Sequence, residues 1–260
     1  MGILNVTPDS FSDGGRYLDP DHAYARALEL EAAGADLIDV GAESTRPGAE
    51  RITEEQELHR LIPVLKRLKE KLQIPICVDT YKALVAERAI EQGAEAINDP
   101  SGLTFEPGLA KVVVQADAGL ILNHMRGTPE SWAKLPSLKD PMGSVRSELE
   151  ATVHRAIRGG VQRERLVIDP GLGFGKRKEQ NSALLARLPE LGALHLPLMA
   201  APSRKTFLAR ATPAETEFAT AAAVTAAILA GAHIVRVHDV AAMKPVVETA
   251  DAIVTAGRRE

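Results

Sequence analysis

Glu31-Ala32-Ala33-Gly34-Ala35-Asp36-Leu37-Ile38-Asp39-Val40 is the stretch that decides the fold. A helical stretch runs into a glycine suited to the left-handed position just past a helix end. A short apolar run follows at once, with one acid inside it. Helix, glycine stop, short loop and strand make the αβ half of a βα unit. The pattern recurs: Glu91-Gln92-Gly93-Ala94-Glu95 leads into Ala96–Asn98, and Leu229-Ala230-Gly231-Ala232-His233 into Ile234–Val237.

Working outward, eight runs read as strands: Ile3–Asn5, Asp36–Val40, Ile74–Asp79, Glu95–Asn98, Gly119–Asn123, Leu166–Asp169, Leu196–Ala200 and Ile234–Val237. Their centres are mostly continuous apolar runs, which fits parallel strands covered on both faces. Helical periodicity fills the gaps. Ala23, Ala27 and Leu30 share a face within 21–33, and Thr53-Glu54-Glu55-Gln56 offers a capping box ahead of Leu58, Leu61, Leu65 and Leu68. Further helices are expected near 83–92, 107–115, 143–158, 181–188, 215–230 and 242–256. Strict alternation of eight strands and eight helices predicts an α/β fold, a (β/α)8 TIM barrel, with residues 1–260 as a single domain. A doubly wound sheet is the competitor, but it usually has fewer strands and no closed rim. Each apolar run ends at a polar residue, namely Asn5, Asp39, Asp79, Asn98, His124, Asp169, Ser203 and His238, and the barrel should bring these to one rim. The βα segments 6–18, 40–51 and 124–141 are the long ones, and long loops on one face usually carry function.

The 260 residues are 45% hydrophobic and 25% charged, with a formal net charge of −4, and are long enough to bury a sizeable core. There is no basic block and aromatics are only 3%, which argues against a nucleic-acid partner. No run is long and apolar enough for a membrane span, and the first residues lack the basic and apolar regions of a signal peptide, so a cytoplasmic protein is expected. Cys77, the single cysteine, lies in an apolar run and reads as a buried, inert thiol.

Five motifs carry chemistry. Asn5-Val6-Thr7-Pro8-Asp9-Ser10-Phe11-Ser12-Asp13-Gly14-Gly15 puts one aromatic in a small polar loop, where it has little reason to be unless it covers something. In Gly41-Ala42-Glu43-Ser44-Thr45-Arg46-Pro47-Gly48, two hydroxyls and a guanidinium follow a strand, a set that can hold an anion, although a solvated turn reads the same way. Asp169-Pro170-Gly171-Leu172-Gly173-Phe174-Gly175-Lys176 superficially resembles a phosphate loop, but Arg177 stands where such a loop needs Ser or Thr. It reads as a turn that brings Phe174 over a pocket while Asp169 points in. Ser203-Arg204-Lys205-Thr206 reads as the start of a helix. Arg236 and His238, two apart, point to the same side of the last strand, where such barrels often bind phosphate.

Together these motifs, with Val78-Asp79-Thr80, Ile97-Asn98-Asp99 and His124-Met125-Arg126-Gly127, resemble the dihydropteroate synthase family of folate biosynthesis, over nearly the whole chain. The resemblance implies condensation of 4-aminobenzoate with (7,8-dihydropterin-6-yl)methyl diphosphate, with SN1 character. It implies Asp79, Lys205 and Asp169 as catalytic groups and Asp79, Asn98, Asp169, Lys205 and Arg236 as the pterin site. Thr45, Arg46, Arg236 and His238 would hold diphosphate. Phe11, Thr45, Pro47, Phe174, Ser203 and Thr206 would bind aminobenzoate, with the carboxylate at the helix start by Thr206. Asn5 would be a ligand of Mg²⁺. The resemblance further implies a homodimer, sulfonamide inhibition, and a segment ahead of the first strand, where this numbering begins. The closest rival is a pterin-binding methyltransferase that serves a corrinoid protein. It needs no diphosphate site, so Thr45-Arg46 with Arg236 and His238 argues against it. A barrel kept only as a scaffold is disfavoured, because every expected ligand type is present.

Overall fold

Strands and helices alternate along the chain. The computed structural model describes residues 1–7, 20–45 and 49–257. Its elements are β1 (Gly2–Asn5), α1 (Pro20–Ala32), β2 (Ile38–Gly41), α2 (Glu54–Leu68), β3 (Ile76–Asp79), α3 (Ala83–Glu91), β4 (Ala96–Asp99), α4 (Leu109–Ala116), β5 (Gly119–Asn123), α5 (Pro141–Arg158), β6 (Leu166–Asp169), α6 (Lys178–Ala186), β7 (Met199–Ala200), α7 (Pro213–Leu229), β8 (Ile234–Val235) and α8 (Val240–Gly257). β1 to β6 form one parallel sheet in chain order, and β7 pairs with β8. Two bridges join these pieces into a ring, Ile168 with Leu198 and Gly2 with Val237. There the Ile168 N–H donates to the Pro197 carbonyl at 3.0 Å, and the Ile3 N–H to the Val237 carbonyl at 2.9 Å. The fold is the (β/α)8 TIM barrel.

Local sequence explains the elements. Gly34, Gly93 and Gly231 all have φ near the left-handed range, at 92°, 100° and 96°, so the repeated glycine stop does what its position demands. Thr53 and Gln56 form the expected capping box on α2. Thr212 and Glu215 form another on α7, behind which Pro213 opens the helix. Four helices, α5 to α8, start two or more residues earlier than their periodicity suggests, α8 at Val240. α5 and α7 begin at Pro141 and Pro213, because the locked φ of proline suits a first helical turn. α6 begins at Lys178, where Gln180 accepts the Arg177 N–H. β7 is shorter than 196–200, since Pro197 has no N–H for the ladder. β8 ends at Val235 as regular strand, yet the Arg236 N–H still donates to the Ala200 carbonyl at 3.0 Å, which keeps the chain extended across the seam.

Alternation along the strands splits the apolar side chains into two sets. Leu4, Ile38, Val40, Val78, Ile97, Leu120, Leu122 and Ile168 face the helices and belong to the main core. Met1, Cys77, Ile121 and Met199 form a second cluster with Leu37, Ala96, Val167 and Ile234. This second set fills the inside of the barrel, at the end where the strands begin. Cys77 is buried there, and burial and nearby Asp39 push its thiol well above the usual range, as expected of an inert thiol. Among the described residues, no helix is long and apolar enough to cross a membrane.

Candidate active site at the barrel mouth

Two residues beyond five of the floor residues, on the same strand face, the side chains turn polar. Leu37 is followed by Asp39, Cys77 by Asp79, Ala96 by Asn98, Val167 by Asp169 and Ile234 by Arg236. The register sets Asn5, Gly41, Asp79 and Asn98 side by side across four strands, and Asn123 beside Asp169. These side chains make one network. Arg236 donates from Nε to Asp39 Oδ2 at 2.5 Å and from a terminal nitrogen to Asp79 Oδ2 at 2.9 Å. Asn98 donates from Nδ2 to the same Asp39 oxygen at 3.0 Å. Its own Oδ1 is buried without a hydrogen-bond partner among the described residues. Asp39 takes one amide N–H, and the Oδ1 acceptor remains for a ligand.

Burial raises the Asp79 carboxyl to about 7, against the pull of Arg236 and with help from Asp39. Burial also raises Asp169, whose Oδ1 accepts the Gly171 N–H at 2.7 Å. Lys205 is lowered to about 8 by burial and by Arg236. Burial works against the Arg236 charge, but Asp39 and Asp79 more than offset it, so that group is held firmly cationic.

The glycine-rich turn after β6 is built around a lysine. Gly171, Gly173 and Gly175 all have positive φ, and a Cβ on Gly171 would fall 1.8 Å from the His124 carbonyl oxygen. Lys176 points into the turn and donates to the carbonyls of Gly171 (2.7 Å), His124 (3.1 Å) and Phe174 (3.1 Å). A lysine so engaged fastens a loop, in agreement with setting aside a phosphate-loop reading. Phe174 is thereby held with its ring edge-to-face against Trp132, centroids 5.4 Å apart, and with Lys205 Nζ 4.3 Å from its centroid. Ser203 Oγ lies 2.9 Å from His238 Nδ1 and accepts the His238 backbone N–H at 3.2 Å, so the last two βα loops are joined at that point.

Thr45 follows β2 on a segment anchored by buried charge. Lys82 Nζ lies 2.5 Å from Glu43 and 2.5 Å from Glu57, and Glu43 also accepts from the Tyr81 hydroxyl (3.1 Å) and the Ile52 N–H (3.3 Å). Both ends of the β2 loop are thus tied to the start of α3. Phe11, Arg46 and Pro47 lie outside the described residues.

Three expectations need correction. His124 does not join the rim: its ring is buried against α5, with Nε2 3.0 Å from Glu148, and burial lowers it to about 4. Ser203–Thr206 does not start a helix. Thr206 is exposed and opens only a three-residue 3-10 turn, Thr206–Leu208, too short to present a helix dipole. Asp39 ends no strand: it lies inside β2, fully buried, and braces the site, a role its position within an apolar run did not suggest.

A magnesium ion can be tested against the oxygen atoms present. Gly41 leaves a gap between Asn5 and Asp79: a Cβ there would lie 3.6 Å from Asn5 Oδ1 and 3.8 Å from Asp79 Oδ2. Hard oxygen donors facing one gap suit Mg²⁺. Among the described residues, no group of three or more His, Cys, Asp or Glu side chains is placed to hold a metal. A magnesium ion at Asn5 would therefore complete its shell with phosphate oxygens and water, and the donor set fits that arrangement.

Comparison with known proteins agrees with this geometry. The chain is 45% identical over 257 residues to the dihydropteroate synthase of Synechocystis, covering 97% of this chain and 89% of that one. It superposes with a TM-score of 0.92, at 38% identity, on the dihydropteroate synthase of Yersinia pestis in complex with a sulfonamide drug, covering 98% of this chain and 93% of that one. The TM-score is 0.86, again at 38% identity, to the Xanthomonas albilineans dihydropteroate synthase in complex with 7,8-dihydropteroate, covering 97% and 92%. Residues 1–238 match the family described as pterin binding enzyme, and the chain belongs to that family.

Proposed function

We infer that the chain, acting as one pterin-binding barrel domain over residues 1–260, catalyses the dihydropteroate synthase reaction of folate biosynthesis. It joins 4-aminobenzoate to (7,8-dihydropterin-6-yl)methyl diphosphate, giving 7,8-dihydropteroate and diphosphate. The observation that carries the reading is the convergence of Asp79, Asn98, Asp169 and Arg236 on one barrel mouth, with Lys205 beside it, in a chain so similar to known dihydropteroate synthases.

A pterin presents an amidine-like edge of adjacent N–H groups, and a carboxylate accepts two such bonds at once. Asp169 takes that edge, Asn98 offers its unpaired oxygen to a neighbouring N–H, and Lys205 donates to the ring carbonyl. Asp79 lies by the reduced ring. The bond between the methylene carbon and the bridging oxygen breaks, and both electrons leave with diphosphate. The carboxylates of Asp79 and Asp169 stabilise the positive charge that develops on the pterin methyl group. The neutral arylamine attacks that carbon and loses a proton to solvent. No strong general base is needed, since an arylamine is already unprotonated at neutral pH.

Thr45, Arg46, Arg236 and His238 hold the diphosphate. A guanidinium carries more N–H donors than Asp39 and Asp79 take from Arg236, so donors remain for phosphate. Asn5 holds Mg²⁺, which when bound supplies positive charge to the leaving group. Phe11, Pro47 and Phe174 wall the aminobenzoate ring, with Thr45, Ser203 and Thr206 for its polar ends. Sulfonamides bind this protein too, in line with the drug complex of the Yersinia pestis relative. The chain works in the cytoplasm as a homodimer through the α7–α8 face, where Phe218, Leu229 and Ile253 are exposed. Sedimentation equilibrium at twice the chain mass supports that assembly, and a monomer at assay concentration contradicts it.

The decisive experiment is a product assay. Purified protein with 4-aminobenzoate, the pterin diphosphate and Mg²⁺ should release 7,8-dihydropteroate and diphosphate in equal amounts. Diphosphate release without a pterin–aminobenzoate product would refute the reading.

A further inference from the structure

Asp39 is the buried charge that no step above uses. It lies within β2, in register with Ile3 on one side and Cys77 on the other. One of its oxygens, Oδ2, accepts both the Arg236 Nε–H and the Asn98 amide N–H, at 2.5 and 3.0 Å. A side-chain amide has a donor end and an acceptor end of the same shape, and only its neighbours decide which way it faces. An ionised carboxylate can only accept. Asp39 therefore captures the NH2 end of Asn98 and turns the oxygen away from itself. That oxygen is buried and has no partner among the described residues. A buried acceptor left unpaired is costly, so it favours any ligand that brings a donor to it. Asp39 also holds one side of the Arg236 guanidinium while Asp79 holds another at 2.9 Å, which fixes the cation across the mouth.

We propose that Asp39 is a positioning residue that sets the hydrogen-bond polarity of the mouth. By holding the Asn98 amide in one orientation, it adds a third acceptor beside Asp79 and Asp169. The mouth then prefers ligand edges rich in N–H donors. This rests on the pterin reading above, in which the exocyclic amine has two N–H groups: Asp169 takes one and Asn98 the other.

The two bonds converge on a single Asp39 oxygen, and that detail makes the proposal testable. Asp39→Asn can place its amide oxygen at the shared position and keep both bonds. Asp39→Leu can keep neither and frees the Asn98 amide to turn over. The measurement is calorimetric affinity for 7,8-dihydropterin and for its analogue lacking the 2-amino group, taken as a ratio. A ratio between two ligands is insensitive to general loosening of the fold. In the wild type the ratio should be large. In Asp39→Leu it should fall about tenfold or more, the scale of one buried hydrogen bond. In Asp39→Asn it should stay near the wild-type value. If Asp39→Leu does not fold, Asp39→Ser, whose short hydroxyl reaches neither partner, is read the same way. An unchanged ratio in Asp39→Leu or Asp39→Ser overturns the proposal, as does a loss in Asp39→Asn as complete as in Asp39→Leu. A wild-type protein that binds neither ligand contradicts the pterin reading instead, so the two failures are distinct.

Discussion

Val167 and Asp169 point the same way from β6, two residues apart. Cys77 and Asp79 do so from β3, Ala96 and Asn98 from β4, and Ile234 and Arg236 from the last strand. The first of each pair packs with Met1, Ile121 and Met199 on the barrel floor. The second meets charges and hydrogen bonds at the mouth. One backbone therefore builds two environments with opposite rules. The floor stabilises by removing apolar surface from water, about 0.8 kcal/mol per buried methylene. The mouth gathers charged groups under burial, which raises Asp79 and Asp169 and lowers Lys176 and Lys205. Such displaced pKa values mark groups whose charged forms are disfavoured by folding, and they concentrate where chemistry is done.

Breaking the contrast outright should have the largest effect. Ile121→Asp moves a mouth residue type to the floor, where no cation waits. An unpaired buried charge should cost more than about 5 kcal/mol and leave the chain unfolded at room temperature by circular dichroism. A folded Ile121→Asp protein would mean that the floor is wetter than its packing indicates.

Removing the cation at the mouth comes next. Arg236→Leu leaves Asp39 and Asp79 without their shared cation, and Asp39 with only the Asn98 amide as a donor. Loss of one member of a buried charge network typically costs about 3–5 kcal/mol, to be read from urea unfolding. Adding Asp39→Leu to that variant should recover part of the loss, because the stranded acid is then gone. Met199→Ala should cost about 2 kcal/mol, the lower end for such truncations, since neighbouring flexible side chains can close part of the cavity. It should leave the pterin affinity of the folded protein nearly unchanged.

The smallest effect is a pH dependence. Asp79 is raised in the folded state to about 7, so between its ordinary value and pH 7 the folded protein binds more protons than the unfolded chain. Stability from this group is then present at low pH and lost as pH rises through about 7, the reverse of a salt-bridged acid with a lowered pKa. The difference in melting temperature between Asp79→Asn and wild type should shift in favour of the variant from pH 5 to pH 8. A constant difference would mean that Asp79 titrates normally.

Much of this was legible in the sequence. Apolar runs ending at polar residues, with glycine stops between, are a one-dimensional image of a barrel; Asn5, Asp79 and Asp169 do end their strands, and Asn98 lies one residue before the end of its own. What stayed hidden depends on direction and register. His124 follows its strand like the others, but one more residue of alternation turns its ring outward to Glu148. Asp39 lies inside an apolar run, and only the pairing of β1, β2 and β3 puts it on the inner face. Lys176 ends a glycine-rich turn that looks built for phosphate, and its use as a peg for three carbonyls follows from the positive φ angles of that turn. Helix and strand ends differed where prolines set the boundary, at Pro141, Pro197 and Pro213.

The central claim, that the polar half of the barrel interior reads a pterin while the apolar half holds the fold, is tested most directly at Asp169. The measurement is the dissociation constant of 7,8-dihydropterin for Asp169→Asn by calorimetry, set beside the melting temperature of the same sample. A site built to match hydrogen bonds discriminates by roughly 10⁴, so pterin affinity should fall by about that factor. The melting temperature should hold or rise, because a carboxyl whose charge folding disfavours has been made neutral. Unchanged pterin affinity, or a lost affinity that merely follows a collapsed melting temperature, would contradict the account.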